Sequence, residues 1–174
     1  MLFANPIPTS LIPDLILLVT NEEIKAALFS IPDNKAPGPD GFTSLFFKRC
    51  WDIIGGEFLA AIKYFFDHTT LPQCVNATRI ALVPKVENPT CMDDYRPISC
   101  CNVMYKCISK IMVARLKTIL PEVIGPSQSA FVPRRQISDN ILLTQELMHN
   151  YHLNRGPTRC ALKVDLRKAF DTIS

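Results

Sequence analysis

Apolar positions change their spacing several times along the chain, and each change predicts an element. Residues 1–19 are apolar but interrupted by Pro6, Pro8 and Pro13, the pattern of an irregular lead-in. From Thr20 the pattern turns helical. Thr20 and Glu23 have capping-box spacing, and Ile24, Ala27, Leu28 and Ile31 recur at helical intervals as far as Pro32. KAPGPDG at 35–41 is turn chemistry, with Gly38 and Gly41 free to take positive φ and Asp40 placed to cap the next helix. Residues 42–54 and 57–68 read as two apolar helices split by Gly55 and Gly56, contributing Leu45, Phe46, Trp51, Phe58, Ile62, Phe65 and Phe66 to a core. TRIALVP at 78–84 is strand-like, and a polar loop runs from there to Tyr95. Over 103–120, Ile108, Ile111, Met112, Leu116 and Ile119 form one helical stripe, which Pro121 should end. Gly125 and Pro126 open another loop, and Ser138 caps a helix through Ile141, Leu147, Met148 and Tyr151. After a turn at 154–158, Cys160, Leu162, Val164 and Leu166 alternate with Ala161, Lys163 and Asp165, which predicts a half-buried strand. With Leu162 and Val164 turned inward, the Asp165 carboxylate points out of the other face. Helices outnumber strands and the two are interleaved, so the expected class is α+β, helix-rich.

Composition narrows this picture only a little. The chain has 174 residues, 48% of them apolar, enough for one well-buried core. Net charge is only +3, but residues 79–135 carry nine Lys or Arg against four acids, whereas residues 1–47 carry two against five. A basic middle can neutralise phosphate, and a solvated charged surface fits the same count. Seven cysteines without a C-x-x-C spacing point to reduced thiols inside a cell, with nucleus and cytoplasm left open. His149 and His152 lack an acidic or thiol partner at metal-ligand spacing. The N-terminal apolar run at 15–19 is too short to span a bilayer, and no membrane partner is expected.

Three segments could carry chemistry. Lys85 ends the first strand-like run and Arg96 comes after the loop; if the two runs pair as a hairpin, both cations could converge on one triphosphate, a point charge beside a bidentate fork. QSAFVPRRQISDN at 128–140 sets Phe131 beside Arg134 and Arg135 ahead of a helix, combining stacking, charge and backbone donors; a surface loop with Phe131 packed inward fits equally. Asp165 at a strand end, with Phe170 five residues on, could ligate Mg²⁺ and close over a sugar, given a second carboxylate from elsewhere. Met92-Asp93-Asp94 imitates a polymerase metal motif but sits in a loop, with Asp94 placed to orient Arg96.

Taken in order, KAPGPDGF, LVPK with DYRPIS, QSAFVPRRQISDNI and LKVDLRKAFD closely resemble the reverse transcriptase of LINE-type non-LTR retrotransposons, plant elements in particular, from about residue 20 onward. The resemblance implies part of a right-hand polymerase: fingers and the start of the palm, over one domain at 20–174 after the lead-in at 1–19. It implies Asp165 as a catalytic metal ligand with the Leu166 carbonyl, and Phe170 as the gate beneath the incoming sugar. Lys85 and Arg96 match triphosphate-contacting positions, and Gln128, Phe131, Arg134 and Arg135 match template-contacting ones. The resemblance also implies two Mg²⁺ ions as cofactor of the full-length enzyme, with an RNA template, a DNA primer and deoxynucleotide triphosphates as partners; the oligomeric state is left open. The family's second palm motif, with its Asp pair, is absent from these 174 residues, so the chain alone is expected to be inactive. The other reading is a retained, non-catalytic nucleic-acid-binding or interaction module.

Overall fold

The computed structural model describes residues 7–125, 128, 129, 132–149 and 153. The chain divides into two compact units, Met1–Gly125 and Pro126–Ser174. The first unit begins with a single 3₁₀ turn, Thr9–Leu11, and a short helix α1, Ile12–Ile16. This differs from the irregular lead-in expected of the prolines. Pro13 stands in the first turn of α1, where its missing N–H and fixed φ favour a helix.

Helix α2 spans Asn21–Phe29, and the Thr20 side chain accepts the Glu23 backbone N–H at 3.1 Å, as the capping spacing predicts. Helix α3 is short, Ser44–Arg49, and α4 runs unbroken over Trp51–His68. The break expected at Gly55 and Gly56 instead falls five residues earlier, at Cys50 (φ −91°, ψ 13°). Gly55 is buried under the Trp51 indole one turn back, where an added Cβ would come within 3.0 Å of the ring. Close packing, not a turn, explains this glycine.

Helix α5 (Gln73–Asn76) leads into strand β1 (Thr78–Pro84), which pairs with β2 (Tyr95–Cys101) as an antiparallel hairpin. Helix α6 follows directly over Val103–Val123. Pro121 lies inside its last turn instead of ending it. A proline within a helix costs ~3 kcal/mol, and burial of Ile119 and Val123 on either side offsets that cost.

The core of this unit lies between α2, α4 and α6: Ile24, Leu28, Phe58, Ile62, Val103, Cys107, Ile108 and Ile111 are all buried there. Phe58 and Ile62 are buried as expected, and Trp51, Phe65 and Phe66 pack against the cluster. Leu45 and Phe46 are instead exposed. Helix α3 turns Ser44 and Phe47 inward: the Ser44 hydroxyl donates to the Pro32 carbonyl at 2.9 Å, and Phe47 packs on Phe58. Met112 and Leu116 of the predicted α6 stripe are also half exposed, because the buried face is centred on Cys107 and Ile111.

In the second unit, α7 spans Ile137–Leu147. Its cap is Gln136, two residues before the expected Ser138. Gln136 and Asp139 form the capping box, and the Ser138 hydroxyl donates to the Gln136 side chain. Tyr151 and the predicted turn and strand at 154–166 lie outside the described residues.

Candidate nucleotide and nucleic-acid interface

The hairpin is the part of the first unit that the helical core does not cover. Every residue of β1 is exposed, as are Arg96, Pro97, Ile98 and Ser99 of β2. Its register pairs Arg79 with Cys100, Ala81 with Ile98 and Val83 with Arg96, and the Lys85 N–H then donates to the Asp94 carbonyl at 2.7 Å. Residues directly opposite share a face, and alternate residues along a strand return to it. Arg79, Arg96 and Lys85 therefore stand on one face. The other carries Ile80, Leu82, Pro84, Tyr95 and Pro97 and no charge. Because Lys85 and Asp94 are a hydrogen-bonded pair, alternation places Pro84 and Pro97 at non-hydrogen-bonded positions, where a missing N–H costs the ladder nothing.

The condition set on LVPK and DYRPIS is met, since the two runs pair as a hairpin, and Lys85 and Arg96 are diagonal neighbours at its far end. Such neighbours stand roughly 7–8 Å apart, within joint reach of one phosphate chain. In this conformation the Lys85 ammonium donates to the Asp93 carbonyl at 2.6 Å, while the Arg96 and Arg79 side chains are exposed and make no ion pair among the described residues. Asp94 does not orient Arg96. Its carboxylate accepts the Thr90 and Cys91 backbone N–H groups at 2.8 and 3.1 Å and so closes the loop. Those bonds, Thr90 first, hold its pKa below the ordinary carboxylate value.

The basic middle separates into two sets. Lys106 donates to the Ala36 carbonyl, Lys110 to the Ser30 carbonyl and hydroxyl, and Arg115 to both Glu23 carboxylate oxygens and to the Leu15 and Leu17 carbonyls. These cations tie α6 to the N-terminal segments. Arg79, Lys85 and Arg96 of the hairpin face are exposed to solvent, as is Lys117 of α6.

KAPGPDG also departs in part from expectation. Gly41 takes positive φ (79°), but Gly38 does not. A Cβ on Gly38 would lie 2.7 Å from the Asn102 Cα, so its role is close approach. Asp40 accepts the Phe42 N–H at 3.1 Å, bracing the turn itself, and Thr43 stands at the α3 N-cap. Asn102, which the residue pattern did not single out, is buried at 3% exposure between this turn and the hairpin. Its place between strand and helix was the available signal.

In the second unit, Arg135 donates to the Gln128 carbonyl at 2.7 Å and its backbone N–H bonds to Val132, so this arginine braces its own loop. Arg134 is exposed with positive φ (66°). Buried Ser129 accepts a hydrogen bond from the Asn140 amide at 2.8 Å, fixing the loop on α7. Phe131, Asp165, Leu166 and Phe170 lie outside the described residues. Among the described residues no cluster of His, Cys, Asp or Glu could hold a metal ion, and no helix is long and apolar enough to cross a membrane.

Residues 83–174, from the distal end of β1 onward, match the family described as reverse transcriptase (RNA-dependent DNA polymerase), and the chain belongs to that family. It is the reverse transcriptase domain of non-LTR retrotransposons, in part. Over 155 residues, 89% of this chain, it is 36% identical to the transposon TX1 uncharacterized 149 kDa protein of Xenopus laevis, of which it covers 12%. It is 26% identical over 90% of its length to the Pol polyprotein of the type-2 retrotransposable element R2DM of Drosophila melanogaster, covering 14% of it. A type-1 R2 Pol polyprotein of Popillia japonica is 28% identical over 162 residues, with 21% of it covered. The chain thus spans between about an eighth and a fifth of these curated relatives.

Proposed function

We infer that the chain forms the fingers and the first palm strand of a right-hand RNA-directed DNA polymerase of the LINE type, of the plant kind, within one domain beginning near residue 20. The observation that carries this reading is the hairpin register, which brings Lys85 and Arg96 to one end of one face. There the two cations bind the triphosphate of an incoming deoxynucleotide, Arg96 through its fork and Lys85 after leaving the Asp93 carbonyl. Arg134 takes a template phosphate, while Gln128 and Arg135 hold the loop that presents Phe131 to the nascent pair. Asp165 and the Leu166 carbonyl would hold Mg²⁺, whose charge would neutralise the reacting phosphates, and Phe170 stacks beneath the sugar. The six described cysteines are unpaired, which supports a reducing, intracellular setting.

The 174-residue polypeptide on its own is expected not to polymerise, because one carboxylate cannot displace enough of the water around Mg²⁺. It binds RNA or an RNA–DNA duplex weakly and without sequence preference. With three to five phosphate contacts, log K should fall against log salt with a slope of roughly −2 to −4. Affinity unchanged by salt would contradict the binding role. Primer extension on an RNA template, abolished by Asp165→Ala, would contradict inactivity of the isolated chain.

A further inference from the structure

The hairpin has both faces largely in solvent, and a two-stranded ribbon of that kind is marginal on its own. Its orientation must be set at its root. Both roots meet at one side chain. Asn102 directly follows β2, and its amide donates to the Cys74 and Val75 carbonyls, at 2.9 and 3.2 Å, in α5 just ahead of β1. The same amide's oxygen accepts the Asp40 backbone N–H at 3.3 Å. Gly38 presses on the Asn102 backbone with no room for a Cβ, and one turn into α6 the Lys106 ammonium holds the Ala36 carbonyl at 2.6 Å. One buried amide thereby joins three segments: the entry to β1, the exit of β2 and the KAPGPDG turn.

We propose that Asn102 is a positioning residue: it pins the hairpin root to the KAPGPDG turn and so fixes where Lys85 and Arg96 meet the triphosphate. The role in triphosphate binding rests on the polymerase reading; the mechanical pin does not. The amide suits the task because it offers two donors and an acceptor at once. Asn102 stands at the N-cap of α6 yet makes no side-chain bond to that helix, so its hydrogen bonds serve the root and not the cap. The pinned turn also transmits from a distance. A Cβ at Gly38 would push the turn off Asn102.

The test is amide hydrogen exchange on the full 174-residue chain, comparing wild type with Asn102→Ala, Asn102→Asp and Gly38→Ala. Ile62→Val, a core change remote from the hairpin, serves as the control for general destabilisation. Loss of the Asn102 amide should speed exchange at residues 72–85 and 94–102 by about tenfold, the scale of one or two lost buried hydrogen bonds. Residues of α4 should change far less, and Gly38→Ala should give the same regional pattern. Asn102→Asp keeps the Asp40 contact but sets a carboxylate against two carbonyls. Its protection should recover at acid pH, where the protonated acid regains one donor. Ile62→Val should speed exchange in α4 and α6 without favouring the hairpin. If the Asn102 and Gly38 variants lose protection uniformly, or leave the hairpin unchanged, the pin is overturned. Should Asn102→Ala fail to fold, Gly38→Ala and Asn102→Asp decide alone. A magnesium–dATP titration of the same proteins separates the two layers: loosened roots with weaker binding support both. Loosened roots in a chain whose wild type ignores dATP keep the pin and remove the hairpin's role in triphosphate binding.

Discussion

The Arg115 guanidinium ties α6 both to α2 and to the segment ahead of it. It holds Glu23 through two hydrogen bonds of 2.9 and 2.8 Å and also donates to the Leu15 and Leu17 carbonyls. Arg115→Ala should therefore cost about 2–3 kcal/mol by chemical denaturation, within the range for breaking a charge-assisted, partly buried pair. The Arg115 hydrogen bond is the main reason the Glu23 pKa lies below its ordinary 4.5. A depressed folded-state pKa gives stability that is complete above the unfolded value and lost as pH falls through the folded one. Wild type should lose this contribution only below about pH 4.5, and Arg115→Ala should show a flatter stability curve there. Cys107 is the opposite case. Burial is the main cause pushing its thiol pKa up to about 12, so it carries almost no thiolate at neutral pH. A thiol reagent at pH 8 should modify exposed Cys74 and Cys91 in the folded chain and reach Cys107 only on unfolding. Early labelling at Cys107 would contradict the buried position.

At the scale of elements, the two adjacent glycines of α4 should behave oppositely. A Cβ on Gly56 meets nothing within 4 Å, so Gly56→Ala should stabilise by about 0.5–1 kcal/mol through helix propensity alone. Gly55→Ala gains the same propensity but crowds the Trp51 indole at 3.0 Å, and its melting temperature should be lower than that of Gly56→Ala. The elements legible in the sequence were those with local signatures: the Thr20 cap of α2, the strand at 78–84 and the onset of α6 at Val103. Two of the misread boundaries share one cause, which is packing that outweighs a breaker. Trp51 folds over Gly55 and buried Val123 carries α6 past Pro121. In the same way, a buried Ser44 turns Leu45 and Phe46 outward.

For the whole molecule, the sequence offers the hairpin as a conditional pairing because its strand-like run, polar loop and DYRPIS segment all fall within residues 78–101. Asn102 was not legible, because its partners lie 27, 28 and 62 positions away and only folding brings them together. The basic count is a poor guide for a related reason: Lys106 and Lys110 donate to backbone carbonyls of this chain, and Arg115 pairs with Glu23. In the first unit, a helical core carries a hairpin that is cationic on one face and uncharged on the other. The central claim is that the far end of that hairpin receives the triphosphate. It is tested most directly by titrating magnesium–dATP into the 174-residue chain while following backbone amide and arginine side-chain resonances. Weak saturable shifts centred on Lys85 and Arg96 are expected, weakened about tenfold in Arg96→Ala, as for loss of one charge-assisted bond. Shifts centred elsewhere, or an affinity that Arg96→Ala leaves unchanged, would contradict the claim.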